Sequence, residues 1–189
     1  MRIEEEIKLD YSDVLFRPKR STLKSRKDVD LNRKYTFKHS RSSWKGIPII
    51  ASNMDGVGEI DVAKKLSSHK LMTALTKQHD INQIGTIYKR NIFFDSIALS
   101  CGTSKDSYNR LNSILKKYPI FKFICIDVAN GYSENFSNFV SEVRKKYPKK
   151  TIIAGNVVTA DMTQELVLSG ADIVKVGIGP GSVCTTRIQ

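Results

Sequence analysis

The sequence predicts an α/β fold built on a parallel sheet, and three observations carry that expectation. From residue 47 onward short apolar runs alternate with amphipathic stretches. Most runs are rich in Ile and Val and apolar in both alternating phases, and nearly every run ends in polar or glycine residues. Runs apolar in both phases read as strands covered on two faces, and helices between successive strands supply the crossovers a parallel sheet needs.

In order, the strand candidates are IPIIASNMD (47–55), KLMTALTK (70–77), DSIALSCGT (95–103), FKFICIDVAN (121–130), TIIAGNVVT (151–159) and ADIVKVGIG (171–179). Between the third and fourth, Tyr108, Leu111, Ile114, Leu115 and Tyr118 form one helical stripe. Between the fourth and fifth, Phe136, Phe139, Val140, Val143 and Tyr147 repeat at i, i+3, i+4, i+7 and i+11. Thr159 is placed to cap a helix over TADMTQELVLSG, with Asp161 in its first turn and Gly170 past its end. EIDVAKKLSSH and INQIGTIYKR are weaker helical patterns.

A doubly wound sheet also fits this alternation. Two features favour a barrel. Asn53 and Asp55, Lys77, Gly102 and Thr103, Asp127 and Asn130, Asn156, and finally Gly179 to Thr186 put polar or glycine residues at successive strand ends, as the active face of a barrel requires. No GxGxxG follows the first strand, as a dinucleotide-binding open sheet would show. The expectation is an incomplete TIM (β/α)8 barrel with about six of its eight strands. Residues 1–46 read as an irregular N-terminal leader and residues 47–189 as the partial barrel, ending in a cysteine-bearing loop.

Composition narrows the classes. The chain has 189 residues, a hydrophobic fraction of 40% and a mean hydropathy of -0.29, ordinary values for a water-soluble domain. No run approaches the roughly 18 apolar residues of a membrane span, and the charged start MRIEEEIKLDYSD is unlike a signal peptide. A cytoplasmic protein with no membrane partner is expected. The net charge of +12 raises the question of nucleic acid, but the basic residues are scattered. Their clusters at 17–27 and 144–150 are short, and the second suits a solvated helix C-terminus. Nucleic acid is therefore not the expected partner.

Cys101, Cys125 and Cys184 are far apart, which argues against a zinc site or a disulfide framework. Cys125 lies within an apolar strand and reads as packing, as does Cys101 at a strand end. His39, His69 and His79 show no ligand spacing and read as surface or structural residues. Cys184 differs, because KVGIGPGSVCTTR (175–187) places it in a glycine-rich turn that can expose backbone dipoles. From residue types, a nucleophilic and a passive thiol are equally compatible with that turn. Lys77 at a strand end suits either a barrel mouth or solvent. Asp127 suits a polar ligand or a helix cap, and NMDGVG (53–58) is a generic strand-to-helix turn.

With those residues assembled, the sequence resembles the inosine-5'-phosphate dehydrogenase/GMP reductase family over essentially its whole length. KVGIGPGSVCTTR carries the resemblance, supported by PIIASNMD, CIDVANGYSE, AGNVVT, LSGADIVKVG and DVLFRPKRSTLKSR. The interval from TALTK to ALSCGT leaves no room for the dehydrogenases' regulatory insert, which points to the reductase branch.

The resemblance implies NADPH-dependent reductive deamination of GMP to IMP and ammonia through a thioimidate on Cys184, with Thr186 assisting proton transfer. It implies contacts to the nucleotide from Ser182, Asn53 and Asp55. Lys77, Asp127, Val128 and Ala129 would line the cofactor pocket. Carbonyls of Gly179, Gly181 and Cys184 would surround K+. It also implies a homo-oligomer, typically a tetramer. Gly56 and Thr76 depart from residues common in the family, Thr and His respectively. The family's reductases are nearly twice as long, so the chain by itself is expected to be inactive. A dehydrogenase lacking its insert, or a non-catalytic subunit binding a full-length homologue, are the alternatives.

Overall fold

The structure, a computed structural model, describes residues 7, 9, 11–89 and 94–179. A hairpin comes first, strands β1 (Arg33–Thr36) and β2 (Ser43–Gly46), paired antiparallel with Tyr35 opposite Trp44. Five βα units and a last strand follow. They are β3 (Ile50–Ala51), α1 (Ile60–Ser68), β4 (Met72–Leu75), α2 (Ile81–Lys89), β5 (Ile97–Cys101), α3 (Lys105–Lys117), β6 (Phe123–Asp127), α4 (Glu134–Lys146), β7 (Thr151–Val157), α5 (Ala160–Leu168) and β8 (Ile173–Val176).

Strands β3 to β8 form one six-stranded sheet in sequence order, every neighbour parallel. This is the incomplete (β/α)8 barrel that the alternation predicted, with six strands in an open sheet among the described residues. The leader is more regular than expected. Its residues 33–46 form the hairpin because alternating polar and aromatic residues pair across a turn that Arg41 makes with φ 57°.

Period-two alternation sorts the strand side chains into two clusters. Residues such as Leu75, Leu99, Ile124, Ile126, Ile152 and Ala154 face the helices, where Leu111, Ile114, Phe136, Val140 and Val143 meet them. The opposite phase, Met72, Ala74, Ala98, Phe123, Cys125 and Ile153, fills the interior. Several of these interior residues are small, and the hairpin compensates by inserting Phe37 and Trp44 from below; Phe37 meets Phe123 edge to face at 5.8 Å. The helical stripes of α3 and α4 match those read from the sequence. Ser104 and Ser133 cap them, their hydroxyls accepting the Ser107 and Phe136 amides. Thr159 occupies the cap position of α5 but accepts no amide there; its hydroxyl instead accepts from the Tyr132 hydroxyl at 3.0 Å.

The hairpin is locked to the barrel floor by one carboxylate. Asp172, with a side chain 0% exposed, pairs with Arg144 of α4 at 2.6 Å. It also accepts the amides of His39 (2.9 Å), Ser40 (3.2 Å) and Ile152 (3.1 Å). Ser40 and Ser42 extend the lock through hydroxyl contacts with buried Thr151 at 3.1 and 2.8 Å. Asp172→Asn leaves the Arg144 charge without its counterion. It is expected to destabilise the fold by about 3–5 kcal/mol, read as a lowered urea midpoint from the fluorescence of the lone tryptophan, Trp44. An unchanged midpoint would remove the pair from this role.

Candidate functional site

Polar residues collect at the C-terminal ends of the parallel strands, the end opposite the hairpin. The interior phase that carries Phe123 and Cys125 along β6 continues to Asp127, and the phase of Ile173 on β8 continues to Lys175. The Lys175 ammonium donates to Asp127 Oδ1, forming a half-buried ion pair, and to Asn53 Oδ1 at 3.1 Å. One lysine thus bridges the ends of β3, β6 and β8. Gly155 makes this possible, because a Cβ there would lie 2.6 Å from Lys175 Cβ. A bulge between Gly155 and Val157 then turns Asn156 so that its amide donates to the Gly177 carbonyl at 2.9 Å. A cavity of about 320 Å³ lies among these groups, lined by Asn53, Ala74, Cys125, Asn156, Lys175 and Gly177.

A second cleft, of about 600 Å³, opens between the ends of β4, β5 and β6. Lys77, Gly102, Thr103, Arg110, Asp127, Val128 and Ala129 are among its walls. All four residues expected to face a cofactor therefore line one cleft, and Asp127 borders it while touching Lys175 in the mouth. Arg110 of α3 spans the cleft floor. Its guanidinium donates to the His79 carbonyl and, at 2.6 Å, to the Ser100 carbonyl. Burial lowers its pKa from the ordinary range. His79 is buried, with Nε2 3.2 Å from the Gly58 carbonyl and 3.3 Å from Glu59 Oε2.

Asn53 is in the mouth, as expected, whereas Asp55 is exposed in the turn after β3 and lines neither cavity. Gly179 is described, with φ 62°. Cys184, Thr186, Ser182 and Gly181 lie outside the described residues. The two departures from family pattern have different settings. Gly56 has φ 75° and open space around it, so a side chain there meets backbone strain but no clash. Thr76 is buried and donates its amide to the Gly58 carbonyl at 2.9 Å.

Sequence reasoning passed over Lys175 and Arg110, and read His79 only as a surface or structural residue. For Lys175 a signal existed: in IVKV the lysine shares the interior phase with Ile173 and therefore points into the barrel. Arg110 carried no such signal, since its partners are backbone carbonyls.

Cys101 and Cys125 are fully buried, as their strand positions suggested. Burial pushes the Cys101 thiol up to about 12 and the Cys125 thiol up to about 11. Both are thus protonated in the fold at pH 8, and neither is expected to react with maleimide until urea unfolds the protein. Because the folded values are raised, these thiols contribute stability that is present below the unfolded thiol pKa, roughly 8.5. That contribution is lost as pH rises toward about 11–12. Alkaline unfolding curves and peptide mapping of labelled thiols check both statements; labelling of either cysteine in the native state at pH 8 would contradict them.

Residues 8–189 match the IMP dehydrogenase / GMP reductase domain. A GMP reductase of Caenorhabditis elegans is 53% identical over 188 residues, 98% of this chain and 52% of that protein. A GMP reductase of Citrobacter koseri is 54% identical over 192 residues, 100% of this chain and 55% of that protein. The crystal structure of inosine 5' monophosphate dehydrogenase from Legionella pneumophila superposes with a TM-score of 0.79 at 28% identity, covering 95% of this chain and 54% of that one. The chain spans about half the length of the curated relatives it matches. On a family match across nearly its whole length, the chain belongs to the IMP dehydrogenase / GMP reductase family.

Proposed function

We propose that the chain carries the binding face and nucleophile of a GMP reductase, an oxidoreductase that converts GMP to IMP and ammonia. The observation that carries this reading is the single cleft formed by Lys77, Asp127, Val128 and Ala129, in a chain 53–54% identical to GMP reductases. The cleft has room for a nicotinamide and ribose and presents Lys77 with the carboxylates of Asp106 and Asp127 to them, so its residues fit NADPH. NADPH, when bound there, supplies the hydride delivered to C2 of the purine.

The chain's own residues do the remaining work. In the proposed scheme the Cys184 thiolate adds to C2 of GMP and ammonia departs, leaving a thioimidate between Sγ and the purine; once C2 is reduced, the C2–Sγ bond breaks to release IMP and the free thiolate. The covalent route divides one hard displacement into two easier steps. Thr186 passes a proton to the departing ammonia. Ser182 holds the phosphate, Asn53 contacts the nucleotide from the mouth, and Asp55 would contact it from the exposed turn after β3. Lys175 balances the charge of Asp127, so the carboxylate is held ready beside the cleft. Gly179 has the left-handed backbone that lets a loop aim its carbonyls inward, and the carbonyls of Gly179, Gly181 and Cys184 would hold K+.

We further propose a leader over residues 1–46 preceding the barrel, a homotetrameric assembly and a cytoplasmic location. The sheet is open between β3 and β8 among the described residues, so turnover is assigned to a barrel closed by further strands. GMP-dependent NADPH oxidation is expected to be absent from the chain alone. It should appear on mixing with a polypeptide matching the rest of the relatives' length, and vanish with Cys184→Ala. A mixture that is inactive, or active without the cysteine, would overturn the reading; IMP-dependent NAD+ reduction instead would assign a dehydrogenase.

A further inference from the structure

Lys77 makes no hydrogen bond or ion pair among the described residues, so its position depends on its backbone. That backbone belongs to a short loop between β4 and α2. At the start of the loop the Thr76 amide is bonded to the Gly58 carbonyl at 2.9 Å, and at its end the Asp80 amide is bonded to Gln83 Oε1 at 2.8 Å. Between those points His79 is held on two sides. Its ring reaches Gly58 and Glu59 on the preceding βα unit, while its carbonyl accepts from Arg110 on the following one.

We propose that Arg110 is a positioning residue for Lys77, gripping the loop after β4 through the His79 carbonyl and fastening it to β5 through the Ser100 carbonyl. The inference rests on the proposed reading of the cleft as the cofactor site. The guanidinium suits the task because its planar fork directs two N–H donors at two carbonyls at once, whereas an ammonium is a single point of donation. A cation donating to backbone carbonyls adds no acidic partner to the cleft, and the Lys77 ammonium stays free for a ligand. Ser107, one turn earlier on α3, accepts the Gly102 amide at 2.9 Å, so α3 clamps the end of β5 while Arg110 reaches across it to the Lys77 loop.

The test is amide hydrogen exchange of the whole chain as wild type, Arg110→Met and Arg110→Lys. In Arg110→Met the Thr76 and Asp80 amides are expected to exchange about tenfold faster, the loss of a charge-assisted bond, while amides of β6 and α4 keep their protection. Arg110→Lys should restore part of that protection, since one carbonyl can still be reached. NADPH titrated against the same three proteins should bind more weakly to Arg110→Met than to wild type. Unchanged exchange at Thr76 and Asp80, or a uniform rise across all amides, would overturn the inference. If wild type binds no NADPH, the cofactor reading fails, and the exchange measurement still decides whether Arg110 holds the loop.

Discussion

The buried carboxylate of Asp172 is the constraint on which the rest of the structure depends. It sits just before β8, where β7, α4 and the hairpin turn converge, and it accepts from each of those three: Ile152 of β7, Arg144 of α4, and His39 and Ser40 of the turn. A charge removed from water at that point is tolerable only when its lone pairs are filled. The four donors fill them, and in doing so they set the relative positions of three separate chain segments. Arg144 is shared in turn among the carbonyls of Gly170 and Lys150, so the loops leading into β7 and β8 are gathered by the same side chain. The floor of the barrel is an electrostatic knot in which backbone dipoles outnumber the charges.

A fixed floor has a consequence at the opposite end. With Phe37 and Trp44 supplying bulk from below, the strands themselves can carry small interior residues, Ala74, Ala98 and Gly155 among them. Small residues leave space in the upper half of the interior. Into that space β8 sends Lys175, and Gly155 allows the strand to come close enough for the lysine to reach Asp127 and Asn53. The mouth is therefore polar because the plug below it is aromatic. The same division of labour accounts for the two cavities flanking Asp127, one inside the barrel and one between strand ends.

Most of the fold was legible in the sequence because its signals are local. Six apolar runs and two helical stripes each declare themselves within a few residues, and all fall where the pattern put them. The grouping of Lys77, Asp127, Val128 and Ala129 was expected from the family resemblance, while strand-end position alone marked only Lys77 and Asp127, because residues at the ends of parallel neighbours share one face. What escaped was non-local or carried by backbone. Arg110 reads as an ordinary helix cation, and nothing nearby in sequence announces the carbonyls of His79 and Ser100. Asp172 falls inside the apolar run 171–179 with nothing local to single it out, since its partners lie 20 to 133 positions away. The hairpin in the leader was missed because its strands are short and mostly exposed, so they lack the apolar runs that marked the sheet.

Two kinds of bond divide the candidate site between them. The loops after β3, β4 and β5 are laced together through backbone carbonyls, with His79 and Arg110 as donors. The Arg110 tie holds position without consuming a side-chain carboxylate, and Lys77 is left without a partner among the described residues. The tie across the mouth is of the other kind, an ammonium on a carboxylate. Lys175 pairs with Asp127 in a half-buried setting, and its second bond, to Asn53, ties the pair to the end of β3. A polar group entering the mouth must compete for Lys175 or Asp127, whereas one entering the cleft finds Lys77 with no partner among the described residues. The site thus meets one ligand with a prepared cation and the other with an ion pair that must be shared, an asymmetry that follows from where the chain places its carbonyls and its two lysines.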